Sequence, residues 1–294
     1  MNHTEGGLAV SATERPISGD TNLWLQGGIL LLLLVFLYYS IVARLVLNWY
    51  GDPNFSHGFF VPAFSAFVIW LDRKRLAALP IKPSASGLVV ILGALGVLVL
   101  GVLGAELFLS RTSLIFLMAG LVIFFLGWEF FRAVLFPWAC LFLMVPIPAI
   151  IFNQITFPMQ LLASRFASTV LSGLGVPVLR EGNVLQLPAM SLEVVQACSG
   201  IRSLMSLGTL AVIYAYLMEP RTSRRVILVA AAIPIAILAN GLRIVGTGLL
   251  VQYWDPAKAE GFFHEFTGWV IFVISLFFLF AVHGLMSLIG RSRA

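Results

Sequence analysis

Charge is scarce in this sequence: 11% of its 294 residues are Asp, Glu, Lys or Arg, against about 25% in an ordinary soluble domain. That shortage excludes a water-soluble globule. Cysteine is scarcer still, with only Cys140 and Cys198, which excludes a disulfide framework and a cysteine-bound metal cluster. The net charge of +5 is small and unevenly placed, which argues against nucleic-acid binding and for membrane orientation. No cleavable signal peptide precedes the first apolar run. The opening residues, among them Asn2, Glu5, Arg15 and Asp20, read as a polar, disordered tail. Internal repeats and low-complexity tracts are lacking too. Apolar side chains are abundant: 60% of the residues are hydrophobic and the mean hydropathy is +1.00. Such a chain needs lipid as part of its solvent.

The length accommodates about eight spans of ~20 residues. Apolar runs predict them at 23–47, 58–71, 87–108, 113–131, 133–152, 198–218, 226–250 and 267–290. The segment 155–174 alternates Met159, Leu162, Phe166 and Val170 with Gln160, Ser164, Arg165 and Ser168. It reads as an amphipathic helix in the interface, or a re-entrant piece buried against protein. Alternating runs at Val184, Gln186 and Val194, Gln196, with turns at Glu181–Asn183 and Pro188–Ala189, predict a small extracytoplasmic β-hairpin. The expected fold is therefore an all-α polytopic membrane protein with about eight transmembrane helices, an interfacial helix and a β-hairpin. A cytoplasmic tail over 1–22 precedes one integral-membrane domain over 23–294.

Orientation follows from Lys and Arg. With both termini cytoplasmic, eleven basic residues fall inside, including Arg73, Lys74, Arg75 and Arg225. Four fall outside: Arg111 in a short turn, Arg165, Arg180 and Lys258. The outer side then holds the ends of three polar blocks. In ACSGIRSL, Cys198 begins a span, where unpaired N–H groups and the helix dipole favour a thiolate. Ser199 and Gly200 keep its approach open, and Arg202 lies one turn on, able to raise the thiolate fraction or hold a carboxylate. In ANGLRIVGTGLL, Arg243 is an intramembrane charge, which is costly unless it serves a purpose, and Asn240 lies one turn earlier, able to orient it. In GFFHEFTGWV, His264 precedes the last span and is suited to titrate near neutrality. His57 in NFSHGFF lines a cavity mouth or simply sits in the interface. Cys140, amid Trp138, Leu141 and Phe142, is a packing residue. Trp49, Tyr50, Trp254 and Trp269 suit an aromatic belt, and Pro146 and Pro148 break the end of their span. Thiol, guanidinium and imidazole at similar depth form a kit for acyl transfer.

The blocks VVQACSGIRSL, NGLRIVGTGLL and FHEFTGW resemble, in order and spacing, the three signature blocks of the exosortase/archaeosortase family. SHGFFVP, VPIP and LGVPVLREGNVLQLP extend the resemblance over about Trp49 to Gly268. It implies a bacterial inner-membrane cysteine protease or transpeptidase, active on the periplasmic side. Its substrates would be exported proteins with a C-terminal PEP-CTERM sorting signal: a Pro-Glu-Pro motif, a hydrophobic helix and a basic cluster. It also implies a link to exopolysaccharide production. Carried residue by residue, the resemblance makes Cys198, Arg243 and His264 catalytic. Arg202, Asn240, Ser199 and His57 remain candidates for substrate binding. No metal or cofactor is expected, and the partners expected are the tailed substrates and membrane lipid. Two other readings of the residues stand: a membrane acyltransferase acting on lipid or polysaccharide, and a transporter with Arg243 and Arg202 on an anion path. Polar residues crowd the outer end of the spans instead of crossing them, which disfavours the transporter.

Overall fold

Long apolar runs in a chain that must satisfy its backbone inside lipid fold as helices, because every N–H then finds a carbonyl within its own segment. The structure, a computed structural model, describes residues 20–194, 201–253 and 262–291. In chain order it comprises α1 (Asp20–Gly51), a 3-10 helix (Pro53–Phe59), α2 (Phe60–Leu71), α3 (Arg73–Ala77), α4 (Ser86–Leu103), α5 (Leu107–Phe125), α6 (Trp128–Ala133) and α7 (Leu135–Cys140). A second 3-10 helix (Leu141–Met144) and α8 (Ala149–Gly173) follow, then β1 (Leu179–Glu181), β2 (Val184–Gln186) and β3 (Ser191–Glu193). The chain closes with α9 (Ile201–Met218), α10 (Thr222–Tyr253) and α11 (Phe262–Arg291). Contacts divide it into Met1–Ala43 and Arg44–Ala294. The described part of the first unit is helical and exposes Leu31, Leu32 and Phe36, apolar surface that only lipid covers without cost.

Among the described residues, six helices are long and apolar enough to cross a membrane, or seven if the bent pair Leu135–Met144 and Ala149–Gly173 counts as one span. The protein is thus a multi-pass, all-α membrane protein with a small sheet. The number falls slightly below eight for two physical reasons. The run 133–152 is not one rod: Pro146 and Pro148 interrupt it, and its two arms meet at 80°. The helix over Arg202–Met218 is apolar but shorter than the others.

Two local readings are refined. The segment 155–174 lies in α8 and packs against α10, which favours the alternative of a piece buried against protein over a helix lying in the interface. Its inward face carries Thr156, Met159, Gln160, Ala163, Ser164 and Ala167, while Leu162 is exposed. Polar and small residues of a membrane helix commonly face protein, as Gln160 and Ser164 do, while Arg165 is exposed. The hairpin gains a strand: β1, β2 and β3 form an antiparallel meander in the order β1-β2-β3. Its first turn uses Gly182 at φ 64, a backbone state that glycine adopts without steric cost. Arg111 is also corrected. It lies on α5, not in a turn, and is 5% exposed.

Three of the apolar clusters among the described residues of the second unit involve α8, α9 or α10. Leu207, Ala211 and Ala215 of α9 meet Leu228, Ala232 and Ala236 of α10 and Leu279 of α11. Val194 and Leu185 of the sheet region share a cluster with Ala163, Ala167 and Leu171 of α8 and with Ile244 and Val245 of α10. Trp49, Phe55, Met144 and Phe152 form a third, against which Leu204 and Met205 of α9 also pack.

Candidate functional site

The described elements nearest to Cys198 in sequence are the sheet region ending at Val194 and α9 beginning at Ile201. On the upstream side, Ser164 Oγ donates to Gly182 O at 3.1 Å, and Asn183 Nδ2 donates to Gln160 Oε1 at 3.4 Å and to Val194 O at 3.3 Å. Val194 N–H donates to Asn183 O at 2.9 Å, so a single asparagine ties the chain down four residues before the thiol. On the downstream side, α9 begins at Ile201 and is held by α10, α11 and the Pro53–Phe59 helix. Cys198 and Ser199 themselves lie outside the described residues. Arg202, in the first turn of α9, is exposed. Cys140, expected to be a packing residue, is buried.

Helix α10 positions Arg243. A Cβ at Gly241 would strike the Phe166 ring, so glycine at 241 lets α10 close onto α8. Residue 243 stands about 200° further round the helix, on the opposite side. There its guanidinium meets α11: its Cζ and Nη2 lie 3.6 Å from the point where a Gly268 Cβ would project. His264 holds a helical position four residues before Gly268, one turn away on the same face; its side chain lies outside the described set. Asn240, one turn before Arg243, is buried, and Thr247 Oγ1 donates to Arg243 O at 3.0 Å. The blocks expected to supply Arg243 and His264 are therefore brought onto facing helices.

His57 is buried, and its Nε2 lies 3.1 Å from Leu143 O. A carbonyl only accepts, so Nε2 carries a proton and donates it to Leu143 O. Trp49 Nε1 donates to the next carbonyl, Met144 O, at 2.8 Å. Trp49 at the end of α1 and His57 in the Pro53–Phe59 helix thus bind two consecutive carbonyls just before the VPIP break. Trp49 is buried, which removes it from the aromatic belt, whereas Tyr50 and Trp269 are exposed as that role requires; Trp254 lies outside the described residues. The indole covers Gly58 so closely that a Cβ there would overlap it. Sequence reading missed the roles of Gly268, Trp49 and Asn183. The glycine of FTGW was a signal in plain view, but only a neighbouring helix gives it meaning.

Among the described residues there is no cluster of three or more His, Cys, Asp or Glu able to hold a metal ion. What the arrangement offers is a cation between two helices, a buried polar residue one turn away, and a strand region anchored at Val194 by Asn183. No curated protein and no solved structure matches this chain. The family model described as transmembrane exosortase matches residues 49–281, so the chain belongs to the transmembrane exosortase family.

Proposed function

We propose that the protein is a membrane-embedded cysteine peptidase or transpeptidase that cleaves the C-terminal PEP-CTERM sorting signal of exported proteins at the periplasmic face of the inner membrane, in a pathway tied to exopolysaccharide and surface export. The observation that carries the reading is that the Arg243 guanidinium faces Gly268 of α11, one turn from position 264, in a chain that matches the exosortase family over most of its length.

Cys198 is the nucleophile. Its thiolate attacks the scissile carbonyl carbon and forms a C–S bond, and the carbonyl electrons move onto oxygen. Collapse of that tetrahedral adduct breaks the C–N bond, and the departing amine takes a proton. His264 is the better donor, because a guanidinium holds its proton far too tightly to give it up readily. Arg243 stabilises the oxyanion by charge and hydrogen bonding. Water or an amine then attacks the thioester, and the thiolate leaves. Asn240 orients Arg243, while Ser199 and Arg202 border the entering chain. His57 supports the wall on which α9 rests.

The test is a trap. The full-length protein, expressed with a tailed substrate, is denatured at acidic pH and analysed by mass. A peptide fragment bound to Cys198 as a hydroxylamine-sensitive adduct, absent from Cys198→Ala, is the expected result. A fatty acyl adduct would overturn the reading in favour of a lipid acyltransferase. Normal substrate processing by an inserted Cys198→Ala protein would overturn it altogether.

A further inference from the structure

A second polar site lies away from α10 and α11. A cavity of about 490 Å³ opens where the end of α1, the start of α5 and the turn into α8 converge, within the ~300–1,000 Å³ range of ligand pockets. Its floor holds Arg111, only 5% exposed. Nη1 donates to Asn48 Oδ1 at 3.2 Å, and Nε is buried with no hydrogen-bond partner. Leaving a donor of a cation unsatisfied in such a place is costly, and Arg111 forms no ion pair with a described residue.

The carboxylates that share the cavity are committed elsewhere. Asp52 Oδ1 accepts from the backbone N and Nδ2 of Asn54, both at 2.9 Å. Glu106 Oε1 accepts from Phe108 N at 3.0 Å, capping α5. Neither forms an ion pair with the guanidinium, yet both line the same cavity. A dianionic phosphate would meet their repulsion twice over. A single planar carboxylate would meet less of it and matches the guanidinium fork. Pro146, Pro148 and Phe152 supply apolar walls, and Asn153 adds an amide, as an extended peptide requires.

We infer that this cavity is a subsite for one acidic side chain of an extended peptide segment, held by Arg111 with Asn48 as its positioning residue. As a substrate subsite it rests on the peptide-processing reading above; carboxylate binding itself does not. The probe is a soluble, extended peptide carrying one glutamate and no other charge, with a glutamine twin, titrated into full-length Cys198→Ala protein in detergent. The glutamate peptide should bind at least about tenfold more tightly than its twin, as loss of a charge-assisted hydrogen bond implies. Arg111→Lys should erase most of that preference, since an ammonium cannot form the fork. Asn48→Asp should do the same by seating an internal carboxylate on Nη1, with the protein still monodisperse. Equal binding of the two peptides, or an undiminished preference in both variants, overturns the inference, as does displacement of the peptide by millimolar glycerol phosphate, which would mark a phosphate site. Equal binding of the two peptides while the parent protein still forms a thioester on Cys198 would refute the subsite alone; a clear glutamate preference with no thioester in the parent protein would refute the peptidase reading alone.

Discussion

The guanidinium of Arg243 faces Gly268, with Cζ at 3.6 Å from the place a methyl there would occupy. That distance is ordinary van der Waals contact, so alanine fits and a longer side chain does not. Gly268→Ala should keep processing near the parent level, whereas Gly268→Leu should displace the guanidinium. A misplacement of about 1 Å in such a group costs on the order of 10²-fold in rate. Substrate-cleavage assays on both variants at matched expression decide the point, and equal activity in the two would show that Arg243 needs no such seat.

The two thiols should differ in reactivity. Cys140 is buried in the apolar core around α7, while Cys198 is proposed as the nucleophile. Cys140→Ala should therefore retain processing and still take up a small maleimide at Cys198. Cys198→Ala should take up almost none in the folded state, as buried structural cysteines do. Quantitative labelling in intact membranes measures this, and strong labelling of the Cys198→Ala protein would contradict it.

Trp49 and Gly58 should be sensitive to size in opposite ways. Gly58→Ala forces a methyl into the indole of Trp49 and should destabilise by about 1–3 kcal/mol, as overpacking does. Trp49→Phe removes the Nε1 bond to Met144 O at 2.8 Å and should cost about 1–3 kcal/mol, because a buried carbonyl loses its donor. Thermal unfolding in detergent reads both losses. An unchanged midpoint for Gly58→Ala would mean that the indole yields freely.

Glu219 joins three helices at the far end of α9. Its Oε2 lies 3.4 Å from His283 Nε2, its Oε1 3.8 Å from Arg224 Nη1, and its backbone oxygen accepts from Arg225 Nε at 2.6 Å. Tyr214 Oη is 2.7 Å from His283 Nδ1. Removing one partner of a buried charged pair costs up to about 3–5 kcal/mol. The lower end applies here, because Arg224 and His283 are each about a fifth exposed, and solvent screens them. Glu219→Ala should lower the unfolding midpoint clearly yet leave thioester formation per folded molecule intact. A fall in trapping without a fall in stability would assign this cluster to the chemistry instead.

Single cysteines should report orientation. In a Cys140→Ala, Cys198→Ala background, a cysteine at Asn183, beside the β1–β2 turn, should react with an impermeant maleimide added to spheroplasts. One at Lys74, on α3, should react only after lysis. The reverse pattern would invert the proposed topology.

Composition and the long apolar runs sufficed to establish a multi-pass helical membrane protein, because backbone hydrogen bonding in lipid permits few alternatives. Local chemistry also made the VPIP break and the Gly182 turn legible, since proline and glycine act on their own backbone. The three polar blocks could be read in sequence as well, with Cys198, Arg243 and His264 as their chemical members. The packing partners could not. The inward face of α8, the juxtaposition of Arg243 and Gly268, the burial of Trp49 over Gly58 and the placement of Arg111 on α5 all depend on which helix lies alongside. In a membrane nearly every side of a helix is apolar, so hydropathy leaves rotation undetermined, and contacts between small and polar residues on neighbouring helices decide it.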